Sequence, residues 1–173
     1  KIYNEMGMIF ARQGKKTEAI KTFQKAIEAN EKAEIKGEIA GIHYNLALLL
    51  KEVGKPKEAK EQLGKAIALY REGLAGKYSN SPKVYTRYGD ALAESGNFHE
   101  ASEAFAKAVA LNPTIPSVHM KLVQSLEYQG RLDKAIDASK QAREVMSKYK
   151  QTEVVEQFKK YTDYLIYKKS KTQ

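Results

Sequence analysis

The chain has 173 residues, of which 42% are hydrophobic and 29% charged, and its formal net charge is +9. This balance is ordinary for a folded globular protein and too apolar for a disordered one. The absence of cysteine excludes disulfides, thiolate metal sites and a cysteine nucleophile, and no apolar run approaches the roughly 20 residues that a membrane-spanning helix needs.

The first helical string, "YNEMGMIFARQG", starts at Tyr3, and a second one, "GKKTEAIKTFQKAI", starts at Gly14. Strings beginning at Gly54, Gly96 and Gly130 repeat the order of the second one: glycine, alanine five residues later, and alanine again after seven more. The alanine pairs are Ala19 and Ala26, Ala59 and Ala66, Ala101 and Ala108, and Ala135 and Ala142, and between them lie Phe23, Leu63, Phe105 and Ser139.

The spacing of these small residues indicates pairs of closely packed helices. Residues seven apart lie on one helical face, two turns from each other. A small residue also recurs in the preceding helix, where Gly7 and Gly89 correspond and Ala47 and Val123 take the same position. Glycine at each turn predicts a left-handed conformation that ends the first helix. The pattern therefore predicts antiparallel helix pairs in which the two backbones approach closely.

Two inserts interrupt the period, because the turn glycines are separated by 40, 42 and then 34 residues. About six extra residues fall at 34–39, which we expect to lengthen the flanking helices, and about eight fall at 74–81. The second insert is rich in glycine, serine and asparagine and predicts a loop. Ser81 is expected to cap the next helix, with Pro82 in its first turn.

The segment from Lys150 to the end predicts one more helix that matches no further repeat. Val154, Phe158, Tyr161 and Leu165 recur at helical spacing. A helix at the end of an array must cover an exposed apolar face, so we expect it to act as a cap. The tyrosines at 161, 164 and 167 are expected to pack in its core-facing side.

The third repeated segment resembles the repeat of the tetratricopeptide repeat family. That repeat is a 34-residue helix–turn–helix with an ordered set of aromatic and small residues. Its matching residues are Tyr85, Tyr88, Gly89, Leu92, Ala101, Phe105, Ala108 and Pro113. The resemblance implies an all-α fold: a right-handed α-solenoid of four such repeats plus a C-terminal capping helix. The expected array spans 1–149, with repeats at 1–33, 40–73, 82–115 and 116–149 and inserts at 34–39 and 74–81, and 150–173 forms the capping helix and a basic tail.

The sequence contains no recognisable catalytic pattern. No glycine-rich phosphate loop is present, and the glycines follow helices instead of strands. His43, His99 and His119 are too scattered for a zinc site, and the first and last of these occupy aromatic positions of the repeat. We therefore expect no enzymatic activity, no cofactor and no metal site.

The resemblance implies a binding surface, since in this family the first helix of each repeat lines a concave groove. The positions that point into such a groove predict a peptide-binding set: Asn4, Met8, Tyr44, Asn45, Lys83, Arg87, Lys121 and Gln124. Co-chaperone members of the family hold terminal carboxylates with a five-residue clamp. Asn45, Lys83 and Arg87 match its last three positions, but Asn4 and Met8 replace the lysine and asparagine of the first two.

Because the clamp is incomplete, two interpretations of these cations remain open. Lys83, Arg87 and Lys121 together would form a basic spot suited to an acidic side chain or a chain terminus. Alternatively, Asp90 and neighbouring glutamates would neutralise them as solvated pairs.

The sequence thus favours a non-catalytic protein–protein interaction scaffold that binds a peptide or partner segment. The alternative is a scaffolding or substrate-presenting domain of a larger enzyme or membrane protein, which the start at Lys1 supports by indicating a fragment. Nucleic-acid binding is disfavoured because the lysines are spread along the chain. The expected partner is a protein or peptide, with acidic groups or a C-terminus; no membrane contact is expected, and a homodimer through the C-terminal helix is possible. The compartment stays open, with the cytoplasm slightly favoured.

Overall fold

The computed structural model describes residues 2–32 and 36–172. All regular secondary structure in these ranges is helical, which confirms the predicted all-α fold. The helices are α1 (Ile2–Arg12), α2 (Lys16–Lys32), α3 (Lys36–Glu52), α4 (Pro56–Ala75), α5 (Pro82–Glu94), α6 (Phe98–Leu111), α7 (Pro116–Tyr128), α8 (Leu132–Lys148) and α9 (Thr152–Ser170). Across these two ranges, none of them has both the length and the apolar character required to cross a bilayer.

The helices pack as consecutive hairpins. Helix α1 packs against α2, α3 against α4, α5 against α6 and α7 against α8, while α2 also contacts α3 and α6 contacts α7. The chain divides into two compact units, Lys1–Ser79 with α1 to α4 and Asn80–Gln173 with α5 to α9. In the second unit α9 packs against α8 and touches α7. The predicted repeat boundaries stay a prediction.

The four turn glycines adopt the predicted left-handed conformation. Their φ angles are 76°, 78°, 84° and 71° at Gly14, Gly54, Gly96 and Gly130. The amide of the residue after each glycine donates to the carbonyl five residues earlier, at 2.8–3.0 Å. This bond is the one that closes a Schellman motif and satisfies a free carbonyl at the helix end.

The small residues lie where the paired helices meet. All eight alanines of the repeated strings are buried, with exposed fractions of 7% or less. A Cβ atom added to Gly7 would lie 2.7 Å from the Phe23 ring, and one added to Gly89 would lie 2.6 Å from the Phe105 ring. These distances are too short for two carbon atoms, so the rings require glycine on the facing helix.

The loop before α5 begins slightly later than predicted. Helix α4 continues to Ala75, because Leu74 and Ala75 are strong helix formers, and α5 starts at Pro82. The Ser81 hydroxyl oxygen accepts from the Val84 amide at 3.3 Å, which confirms the predicted cap. The first predicted insert, 34–39, lies partly outside the described residues.

Helix α9 packs against α8 and α7, but one detail of the prediction is wrong. Phe158 and Leu165 are 1% and 0% exposed and join the core of α7 and α8, with Tyr161 packed beside them. Tyr164 and Tyr167 are 46% and 63% exposed and are not core residues. The reason is geometric, since the face that carries 158, 162 and 165 already fills the contact with α8 and turns the other two aromatics outward.

Candidate functional site

In the first unit, the structure brings two predicted site residues together. Helices α1 and α3 place Asn4 and Asn45 side by side, and the Asn45 Nδ2 atom donates to the Asn4 Oδ1 atom at 3.4 Å. Both asparagines are half-buried, as is Tyr44, while Met8 is 37% exposed. The result is a polar pair with an exposed thioether and an aromatic ring on the same two helices.

In the second unit, an ion pair joins the first helices of successive hairpins. The Lys121 Nζ atom on α7 lies 2.6 and 2.8 Å from the two carboxylate oxygens of Asp90 on α5. The same ammonium lies 6.0 Å from the centre of the Phe105 ring. Lys121 is therefore neutralised, and it does not contribute a free charge to the predicted basic spot.

The other two cations of that spot lie together on α5. Lys83 and Arg87 are exposed and lie one turn apart on α5. Throughout 2–32 and 36–172, no carboxylate lies within ion-pair distance of either residue. Among the described residues, a carboxylate thus pairs with Lys121 and not with Lys83 or Arg87. Gln124, on α7, is exposed.

The eight predicted residues divide evenly between the two units, with Asn4, Met8, Tyr44 and Asn45 in the first. Within each unit they lie on the first helices of the hairpins, as the resemblance implies. A groove shared by all four helices stays a prediction.

The buried histidines have structural partners. His43 Nδ1 lies 2.7 Å from Gln62 Oε1, and His119 Nε2 lies 2.8 Å from the Pro113 carbonyl oxygen. The His119 ring also meets the Phe158 ring edge-on, with centroids 6.4 Å apart. In the part of the chain that the structure describes, no three acidic or imidazole side chains are grouped as metal ligands.

A polar cluster between α7 and α9 was missed by sequence reasoning. The Glu127 carboxylate accepts from Tyr161 at 2.5 Å, from Tyr164 at 3.1 Å and from Lys168 at 2.6 Å. Burial alone would raise the pKa of Glu127, but hydrogen bonds from Lys168 and the two tyrosines outweigh it and lower that pKa.

The same cluster also changes the pKa values of the side chains that donate to Glu127. Burial, reinforced by the bond to Glu127, raises the pKa of Tyr161. The bond to Glu127 also raises the pKa of Lys168. The sequence signal for this cluster is a tyrosine, tyrosine and lysine at 161, 164 and 168, on one helical face, but their partner is more than 30 residues away.

Comparisons with known proteins are consistent with this architecture. Family models described as tetratricopeptide repeat match residues 1–72, 38–113 and 87–146. The Vi polysaccharide export protein VexE of Salmonella typhi is 28% identical over 120 residues, which is 69% of this chain. The chain spans 18% of the length of that relative.

Solved structures of helical proteins share the fold at low identity. BtubC (BKLC) from P. vanneervenii aligns with a TM-score of 0.64 and 16% identity, over 86% of this chain and 63% of that one. Two structures of MamA align with TM-scores of 0.56 and 0.53 at 22% and 21% identity. They cover 98% and 96% of this chain, and 91% and 95% of their own. The family models cover most of the sequence, and the chain therefore belongs to the tetratricopeptide repeat family, whose general role is protein–protein interaction.

Proposed function

We propose that this chain is a non-catalytic scaffold that binds a peptide or partner segment along the first helices of its repeats. The observation that carries the proposal is the pair of exposed cations on α5, Lys83 and Arg87, which lack a carboxylate within ion-pair distance in 2–32 and 36–172. Two like charges one turn apart repel each other. An acidic ligand would relieve this repulsion, whereas Lys121 is already paired with Asp90.

The chemistry of these two side chains favours a carboxylate, from an acidic side chain or from a C-terminus. The Arg87 guanidinium is suited to a bidentate contact, and the Lys83 ammonium adds a point charge. In the first unit, Asn45 and Asn4 offer hydrogen bonds to a peptide backbone. Met8 supplies exposed apolar surface beside them.

A pull-down from the source lysate tests the proposal with a triple variant, Asn45→Ala, Lys83→Ala and Arg87→Ala. The matched control changes one amide and two cations elsewhere, as Gln24→Ala, Lys107→Ala and Lys134→Ala, all at exposed positions. Each charge-assisted bond contributes about 1.5–3 kcal/mol, so partner recovery should fall at least about tenfold with the site variant. Recovery should be unchanged with the control.

Equal recovery of every partner by the wild type and the site variant would show that the proposed surface is wrong. Equal losses with the two triple variants would also contradict it, because the effect would then come from net charge alone.

A second candidate function is a scaffolding domain within a larger protein. The match to 18% of the length of a polysaccharide export protein favours it. The full reading frame around this segment tests the idea: an adjoining catalytic or membrane domain supports it, whereas a stop and a start codon at the segment's ends contradict it.

A further inference from the structure

The second unit contains a basic cleft on a different surface from the first helices. It has a volume of about 760 Å³ and lies between the C-terminal half of α8 and the start of α9. It is lined by Lys140, Arg143, Glu144, Ser147, Lys148 and Val155. None of these residues belongs to the predicted peptide-binding set.

The geometry of α8 explains why these side chains converge. The lining residues of α8 fall three, four, seven and eight positions after Lys140 and so share one side of the helix. The other side of α8 buries Ser139, Ala142 and Met146 in the core. Because that core packs the helix against α9, the backbone positions of these cations are set by helices and not by a loop.

The cleft carries more positive charge than its surroundings neutralise. It contains three cations and one carboxylate, that of Glu144. Within 2–32 and 36–172, no acidic side chain lies within ion-pair distance of Lys140, Arg143 or Lys148. These charges raise the local potential for an anion.

Arg143 is the most enclosed of the three cations in the lining. Its side chain is half-buried, and its Nε atom is buried without a hydrogen-bond partner among the described residues. A buried guanidinium donor without an acceptor is unfavourable. Because the Nε atom is enclosed by the protein, a carboxylate in the cleft would contact the guanidinium through its terminal nitrogens.

We infer that this cleft binds an acidic segment of a protein partner through its carboxylates. The size of the cleft exceeds that of a single ion, and Val155 provides an apolar wall for an aliphatic side chain. The carboxylate of Glu144 repels any anion beside it, but it accepts a hydrogen bond from a peptide amide. A peptide can place its carboxylates at the cations and an amide at Glu144, which a compact phosphate dianion cannot do. A peptide with acidic side chains therefore fits the lining better than a phosphate group does.

The test is fluorescence anisotropy on the full chain with a fluorescein-labelled, glutamate-rich peptide that contains leucine. Arg143→Gln should weaken binding at least about tenfold, as expected for loss of a charge-assisted contact. The double variant Lys140→Gln and Lys148→Gln, at exposed positions, should weaken it similarly without affecting the fold. Lys160→Gln is the matched control on the exposed side of α9 and should change binding less than about twofold.

Three outcomes would overturn the inference. The first is unchanged binding by both site variants, and the second is equal binding of a peptide with glutamine in place of every glutamate. The third is displacement of the peptide by inorganic phosphate at equal concentration, which would identify a simple oxyanion site.

A separate arm distinguishes this cleft from the surface in the proposed function. The Lys83→Ala and Arg87→Ala variant should bind the peptide like the wild type. If that variant loses the peptide and Arg143→Gln retains it, the inference fails while the proposed function gains support.

Discussion

In each helix pair, the size of the small residue on the first helix varies together with the size of the core residue on the second helix. Phe23 and Phe105 face Gly7 and Gly89. In the second pair the corresponding residues are Ala47 and Leu63, and in the fourth they are Val123 and Ser139, all of them buried. A larger residue on the first helix thus accompanies a smaller one on the second, as close packing requires.

The Gly89→Ala variant tests this steric matching. The new methyl group would lie 2.6 Å from the Phe105 ring, so we expect a loss of about 1–3 kcal/mol in unfolding free energy, as for overpacking elsewhere. Urea unfolding followed by circular dichroism measures the change.

Gly64→Ala is the matched control, since nothing lies within 4 Å of the added methyl group. It should stabilise the chain by about 0.5–1 kcal/mol through helix propensity alone. The double variant Gly89→Ala and Phe105→Leu copies the alanine–leucine pairing of Ala47 and Leu63, so it should cost less than the sum of its single changes. Additive costs would contradict the matching.

Lys150 occupies a position like those of the turn glycines. Its φ is 56°, and the next amide, from Gln151, donates to the Met146 carbonyl at 3.1 Å, as in the glycine turns. A side chain in this conformation costs roughly 1–2 kcal/mol. Lys150→Gly should therefore raise the unfolding free energy by about 1 kcal/mol, although glycine also increases the entropy of the unfolded chain.

Urea unfolding measures this change, with Lys160→Gly inside α9 as its control. The control should lower the unfolding free energy by about 1 kcal/mol. A loss of stability from both changes would show that the left-handed turn at Lys150 is not strained.

At the scale of elements, α9 replaces a missing core residue of the fourth repeat. Ser139 occupies the position at which the other repeats have phenylalanine or leucine, and it is fully buried, at 0% exposed. Its hydroxyl lies 3.2 Å from the Phe158 carbonyl oxygen and 2.8 Å from the Thr162 hydroxyl. A small polar residue here lets α9 approach α8, and Phe158 contributes its ring to the shared core.

The attachment of α9 should depend on pH through Glu127. Its folded-state pKa lies below the ordinary value of 4.5, so its bonds contribute stability above that pH and lose it as pH falls through the folded pKa. The pKa of Lys168 is raised above 10.5, so its contribution is present below that pH and lost as pH rises. Attachment is thus strongest between these limits.

Urea unfolding of the wild type and Glu127→Gln between pH 3 and 8 tests this dependence. The wild type should be more stable at neutral pH, and its advantage should shrink below about pH 4.5. Asp133→Asn is the control, because Asp133 pairs with Lys169 at an exposed site and should matter little. A difference that stays constant down to pH 3 would rule out the role of Glu127.

At the scale of the whole molecule, each unit has its own hydrophobic core. One cluster includes Phe23, Ile42 and Leu50, and the other includes Val123 and Phe158. In repeat arrays, stability is approximately a sum of local terms between neighbouring repeats. Each unit should therefore retain its fold when separated.

A fragment of residues 80–173 tests that independence. It should have a helical circular dichroism spectrum and unfold in one cooperative transition, because its core lies within α7, α8 and α9. A fragment truncated to 80–149 lacks Phe158 and Leu165 and should lose that cooperativity. If the longer fragment has no transition, the units are not independent.

The periodic spacing of glycine and alanine was enough to predict the all-α repeat fold. That spacing reports local backbone needs, such as the left-handed turn at Gly96 and the close approach at Gly89, which hold whatever the rest of the chain does. The positions of the predicted site residues on first helices were implied by the resemblance to the repeat family.

Only the tertiary structure decided which charges are free. Asp90 neutralises Lys121 but not Lys83 or Arg87, and the partner of Lys168 proved to be Glu127, 41 residues earlier. The cleft beside Arg143 was also invisible in the sequence. Such ion pairs depend on the distances between helices. Because lysines and glutamates are spread evenly along the sequence, the sequence alone does not show which of them come close together.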